Sequence, residues 1–135
     1  MRVFLDANIL FSAGLTASPT ARVVRLLIEQ VEAVTCDYAC QEARRNIELK
    51  RPAWAADFEA ILLTITIVPT HIFALTVALA EKDVPILCSA IRAGCSHLVT
   101  SDKRDFGHLY GKVVQGVAIV TLLQLTEMLA DLRQE

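Results

Sequence analysis

Two stretches decide the reading of this chain: Arg2-Val3-Phe4-Leu5-Asp6 and His97-Leu98-Val99-Thr100-Ser101-Asp102. Each is a short apolar run, the length of a buried strand, and each stops on an acid. Buried strands ordinarily stop at turn residues or caps. If the two runs are neighbours in a parallel sheet, both carboxylates project from the same edge, where open α/β sheets bind ligands. Three further acids, Glu42, Asp83 and Asp105, complete the candidate set. Clustered carboxylates repel one another unless a cation lies between them. Hard oxygen ligands select Mg²⁺ or Mn²⁺, and such a site points to phosphodiester chemistry.

Outward from these runs the pattern alternates strand and helix. Arg2 to Leu5 reads as the first strand. Thr20 to Val31 places Val23, Val24, Leu26, Leu27 and Val31 on one helical face. Ala33 to Cys36 reads as a second strand, and Asp37 as the N-cap of a helix running to Lys50. Pro52 opens a helix to about Leu63, and Ile65 to Val68 is a third strand closed by Pro69. Phe73 to Ala80 reads as a short helix. Asp83 before Val84-Pro85 reads as the cap of a helix ending near Gly94. Leu98 to Thr100 and Val117 to Val120 are strands four and five, separated by a turn-rich Gly107 to Gly116. Thr121 to Arg133 is a terminal helix, and Gly14 to Pro19 is a loop. Strands separated by helices imply parallel pairing with right-handed crossovers. The expected architecture is a three-layer α/β/α sandwich around a parallel sheet of about five strands, one domain over residues 1–135.

The bulk composition agrees. Of 135 residues, 54% are hydrophobic but only 6% aromatic, so the core is aliphatic and Ala-rich. The net charge of −2 argues against a broad nucleic-acid surface, so any phosphate contacts must be local. The most apolar stretches are too short to span a bilayer. The opening strand leaves no room for a positively charged leader, and a cytoplasmic protein is expected. Cys36, Cys40, Cys88 and Cys95 show no Cys-x-x-Cys spacing and are expected to be reduced and buried. His71, His97 and His108 share no ligand spacing and read as structural. No glycine-rich phosphate loop and no nucleophile elbow are present.

Each acid also has a structural reading. Asp6 is a metal ligand supported by Asn8, or an Asx-turn that stops the strand. Glu42, early in its helix, is part of the site or complements the helix dipole. Arg44 and Arg45 pair with Glu42, reach phosphate, or are solvated. Asp83 is a plain N-cap. Asp102 is flanked by the Thr100 and Ser101 hydroxyls and by the charges of Lys103 and Arg104. Asp105 shares the metal through water or caps the next turn.

Four motifs in order resemble the PIN domain, the nuclease fold of VapC-like toxins from bacterial toxin–antitoxin pairs. They are Val3-Phe4-Leu5-Asp6-Ala7-Asn8-Ile9-Leu10, Gln41-Glu42-Ala43-Arg44-Arg45-Asn46, Lys82-Asp83-Val84-Pro85-Ile86-Leu87 with Ala90 and Gly94, and Val99-Thr100-Ser101-Asp102-Lys103. Asp105-Phe106-Gly107 resembles one bacterial subgroup. The resemblance covers essentially the whole chain. It departs at Ser101, where many members carry Gly, and in the scarcity of aromatics for base stacking. It implies a metal-dependent endoribonuclease with catalytic Asp6, Glu42, Asp83 and Asp102. Asp6, Asp83 and Asp102 would bind one or two Mg²⁺ or Mn²⁺ ions, with Asn8, Thr100, Ser101 and Asp105 auxiliary. RNA is the implied substrate and an antitoxin the implied partner. The apolar composition, with the family's habit of pairing, implies a homodimer. A catalytically silent module binding RNA or protein is the alternative. A phosphatase using Asp6 would favour a second Asp at position 8, where this chain has Asn8.

Overall fold

The computed structural model describes residues 1–15 and 17–134. Six strands form one sheet: β1 (Arg2–Leu5), β2 (Glu32–Cys36), β3 (Thr66–Val68), β4 (His97–Val99), β5 (Val113–Val114) and β6 (Val117–Val120). The helices are α1 (Ala7–Gly14), α2 (Pro19–Gln30), α3 (Asp37–Lys50), α4 (Ala55–Leu62), α5 (Val84–Arg92), α6 (Lys103–Phe106) and α7 (Leu122–Gln134). They flank the sheet, whose order is β3-β2-β1-β4-β6-β5. The first five in that order pair in parallel, as the alternation of strands and helices requires.

Strands buried on both faces carry nearly continuous apolar runs. Val3, Phe4, Leu5, Leu98, Val99 and Ile119 are completely buried. Strand β1 lies at the centre, between β2 and β4. The chain builds β1, β2 and β3 outward on one side, then returns to place β4 and β6 on the other. The order therefore reverses between β1 and β4, and a crevice opens at the carboxyl ends of the two strands.

The structure departs from the sequence reading in five places. Helix α1 follows Asp6 directly, whereas the reading assigned no helix there. Its last residue, Gly14, packs closely on α4: a Cβ there would lie 3.2 Å from Phe58. The loop expected from Gly14 to Pro19 is shorter, since Pro19 begins α2 and Ser18 caps it through the Ala21 N–H; Thr16 lies outside the described residues. Asp37 is not a cap: it is the first residue of α3, and Cys36 holds the cap position without a side-chain bond.

Residues 73–80 are not helical. Their odd-numbered members, Phe73, Leu75, Val77 and Leu79, are partly buried, and the even-numbered ones are exposed. That is the period of extended chain. Backbone groups there bond outward: the Phe73 N–H to Cys88 Sγ and the Thr76 N–H to Gln115 Oε1. Finally, β5 pairs antiparallel with β6 as a sixth strand inside the segment expected to be only turn. The hairpin turns at Gln115 and Gly116, both with positive φ, the backbone of a tight two-residue connection. All four cysteines are free and buried, as expected. Among the described residues no helix is long and apolar enough to cross a membrane.

Candidate active site

Parallel pairing of β1 with β4 sets Leu5 opposite Val99, so the next residues on both strands, Asp6 and Thr100, enter the same crevice. The Asp6 N–H continues the ladder to the Val99 carbonyl at 3.1 Å. Asp6 is 3% exposed. Its Oδ1 accepts the Ala7 N–H at 2.7 Å and so caps α1. Its Oδ2 accepts the Thr100 hydroxyl at 2.7 Å and the Asn8 amide at 3.2 Å. Burial pushes the Asp6 carboxyl up to about 6; the Thr100 and Ala7 bonds oppose the rise, and the charge of Glu42 adds to it.

Thr100 is completely buried. Besides donating to Asp6, its Oγ1 accepts the Asp102 N–H at 3.1 Å and the Asn8 amide at 3.3 Å. Asn8 Oδ1 in turn accepts the Ser101 N–H at 3.0 Å. Asn8 and Thr100 thus lash the end of β1 to the end of β4. Ser101 takes part through its backbone rather than through the hydroxyl anticipated from sequence. Asp102 then caps α6 by accepting the Asp105 N–H at 3.1 Å.

Asp83 arrives from the far side, on the 3-10 turn that runs into α5. It occupies the cap position, yet its side chain makes no capping bond. Two local causes account for this. Its backbone is already near helical, at φ −100° and ψ −12°, whereas a capping side chain needs extended backbone. Pro85 also has no N–H to offer. The carboxylate is released from capping and buried, with 7% exposure. Among the described residues its Oδ2 has no hydrogen-bond partner. Burial, reinforced by the adjacent Asp105 carboxyl, pushes Asp83 up to about 7, against the pull of Lys82.

Asp83, Asp102 and Asp105 bring carboxylate oxygens within 4.8 Å of one another. The sequence reading placed Asp6 in this trio and Asp105 outside it. In this trio Asp105 is a member, and Asp6 lies beside it, joined to the Asp102 N–H through the Thr100 hydroxyl. The charge of Asp6 is still felt at Asp83. Glu42 on α3 forms one wall, lining a cleft of about 300 Å³ with Tyr38, Gln41, Arg45 and Lys82. Arg44 turns away into a two-point ion pair with Glu59, at 2.6 and 3.1 Å. The histidines are held locally, His97 to the Ser96 hydroxyl and His108 to the Ala78 carbonyl.

Three residues escaped the sequence reading. Lys82 places its ammonium 2.8 Å from Asp105 and 3.9 Å from both Asp83 and Asp102. Tyr38 donates its hydroxyl to the Lys82 carbonyl at 2.8 Å, and Tyr110 donates its own to the Thr100 carbonyl at 2.9 Å. Lys82 was legible as a cation abutting Asp83; the tyrosines carried no signal, being distant in sequence from what they hold.

The arrangement suits a divalent cation. The unpartnered Asp83 Oδ2 faces a set of hard oxygen donors, and an ammonium already stands among them. Fold and site together define an α/β domain with an acidic centre at its sheet switch point. The sequence profile of the PIN domain matches residues 2–104, and the chain belongs to that family. Its fold is similar to VapBC2 of Rickettsia felis bound to a DNA fragment from its promoter, at 13% identity and a TM-score of 0.64 over 90% of this chain and 98% of that one. It is similar to VapC20 of Mycobacterium tuberculosis, a toxin that cleaves the Sarcin-Ricin loop, at 10% identity and a TM-score of 0.60 over 83% and 98%. FitAB bound to the IR36 DNA fragment gives 16% identity and a TM-score of 0.62 over 89% and 94%. Comparison with curated proteins gives no match.

Proposed function

We propose that the protein is a metal-dependent endoribonuclease, the toxin of a toxin–antitoxin pair. The observation that carries this reading is Asp83: a buried carboxylate, excused from capping, with one oxygen unpartnered and turned to two other acids. Membership of the PIN family and the likeness to one toxin that cleaves RNA support it.

Asp83, Asp102 and Asp105 would hold one or two Mg²⁺ or Mn²⁺ ions, with Asp6 completing the set from β1. A bound ion supplies an acidified water and charge neutralisation at the attacked phosphate. The chain's own residues do the rest. Thr100 and Asn8 fix Asp6 in one orientation, which is what ligand-supporting hydrogen bonds achieve in metal sites. Glu42, in the adjoining cleft, would orient water or accept its proton. Arg45 in the cleft, and Lys103 and Arg104 beside Asp102 in sequence, would draw an RNA backbone to the crevice despite the negative net charge. The apolar residues left exposed on α2 and α7, including Leu26 and Leu132, would be covered by a second copy or by an antitoxin. The setting would be the cytoplasm.

The test is cleavage of structured RNA by the purified protein with Mg²⁺ or Mn²⁺, compared with Asp83→Asn and with chelator. Metal-dependent cleavage that the substitution abolishes is expected. Cleavage that survives both chelator and Asp83→Asn would defeat the reading.

A further inference from the structure

Lys82 reaches into the carboxylates that would hold a metal ion. Its Nζ is 2.8 Å from Asp105 Oδ2 and 3.9 Å from Asp83 Oδ2 and Asp102 Oδ2, the same three acids that draw together as oxygen donors. One contact has hydrogen-bond length and two do not, so a single ammonium satisfies the cluster only in part. It leaves Asp83 Oδ2 without a hydrogen bond. A divalent ion brings twice the charge and direct bonds to several oxygens. The two cations need the same atoms and cannot both hold them.

We propose that Lys82 is a built-in competitor of the divalent ion: its ammonium fills the carboxylate cluster in the metal-free protein and leaves when the ion binds. This inference rests on the metal-nuclease reading above. The exchange requires little motion. The Lys82 side chain is 61% exposed, so only the acids restrain it. Its backbone is held by the Tyr38 hydroxyl, so the side chain alone has to rotate. It already lines the cleft beside Glu42 and Arg45, which receives it. The groups facing the ammonium are thus Asp83, Asp102 and Asp105 in the cluster, and Glu42 and Arg45 in the cleft. The consequence is a threshold. If the ammonium occupies the cluster about four-fifths of the time, the metal dissociation constant is raised about fivefold over that of the open site. The free protein keeps its acids together at low metal, and the site loads only when the ion outcompetes Lys82.

The experiment is Mn²⁺ binding to the full chain by titration calorimetry, with melting measured in chelator and in saturating Mn²⁺. Wild type is compared with Lys82→Met, which keeps length but not charge, and Lys82→Arg, which keeps charge. Lys82→Met is expected to bind Mn²⁺ about fivefold more tightly or better. It should melt below wild type in chelator, and the gap should close in saturating Mn²⁺. Lys82→Arg should bind no more tightly than wild type, since its guanidinium keeps the positive charge and can also bridge carboxylates. Unchanged or weaker Mn²⁺ binding by Lys82→Met overturns the proposal while wild-type binding keeps the metal reading alive. An Arg variant that behaves like the Met variant also overturns it. Wild type that binds no Mn²⁺ at millimolar concentration overturns the reading itself and the proposal with it.

Discussion

Asp6 and Asp83 are both buried acids at the start of a helix, and the structure uses them in opposite ways. Asp6 is fully tied: it caps α1, and its other oxygen takes two hydrogen bonds from Thr100 and Asn8. Asp83 caps nothing, and its Oδ2 is bonded to nothing. One half of the centre is a rigid knot between β1 and β4; the other is a buried charge awaiting a partner. In the proposed metal site the tied carboxylate would fix geometry and the untied one would supply affinity. Burial raises both carboxyls; at Asp6 hydrogen bonds to the charged form oppose the rise, whereas at Asp83 the neighbouring Asp105 carboxyl adds to it.

The sharpest way to break the comparison is catalysis. Asp6→Asn and Asp83→Asn should each lose RNA cleavage by more than about a hundredfold, because replacing ligands costs more than replacing their supports. Cleavage in Mn²⁺ measures this, and a near-normal rate in either variant would remove that acid from the site.

Stability of the metal-free protein should then separate the two. The folded protein keeps its proton on Asp6 up to about pH 6 and on Asp83 up to about pH 7, while both groups ordinarily ionise near 3.8. Between those limits the folded state binds more protons than the unfolded state, so stability should fall as pH rises from about 4 to about 7 and then level off. Asp83→Asn should flatten much of that slope and stabilise the chelated protein at pH 8, because it removes a buried charge that repels Asp105 and Asp6. Asp6→Asn should gain less, because an amide in place of Oδ2 meets two donors. Denaturant unfolding across pH tests both, and equal gains would mean that the two acids are equivalent after all.

Thr100→Val probes the knot directly. It removes the hydroxyl shared by Asp6, Asn8 and the Asp102 N–H, and should destabilise by about 1–3 kcal/mol by leaving a buried polar group unpaired. It should also cut cleavage by about tenfold, as loss of a ligand-supporting bond does. The smallest effect expected is from Tyr110→Phe. It loses one hydrogen bond to the Thr100 carbonyl, worth about 0.5–1.5 kcal/mol, with little change in rate. A larger change in rate than in stability would make Tyr110 part of the chemistry.

The sequence carried the sheet well where burial leaves a signature. The runs at residues 2–5, 97–99 and 117–120 are apolar because both faces are covered, and the acids that follow the first two, Asp6 and Asp102, mark the carboxyl edge. It misread residues 73–80, although the alternation of Phe73, Leu75, Val77 and Leu79 with Ala74, Thr76, Ala78 and Ala80 is period two. Ala and Leu favour helix locally, but the backbone finds its partners on Cys88 and Gln115 instead. The helix after Asp6 was missed because its apolar residues continue those of the strand, with no break in hydrophobicity to mark the change of period.

The class of fold, the five acids and the family were legible before folding, because each is written in local pattern: apolar run, terminating acid, spacing. Only the tertiary structure decided which acid does what. Asp83 looked like the plainest cap in the chain and is the one that does not cap; Asp105 looked accessory and lies in the cluster. The reason is that capping depends on backbone angles, and partnership depends on what other elements bring alongside. Lys82, Thr100 and Asn8 acquire their roles only when β1, β4 and the start of α5 meet at one edge of the sheet.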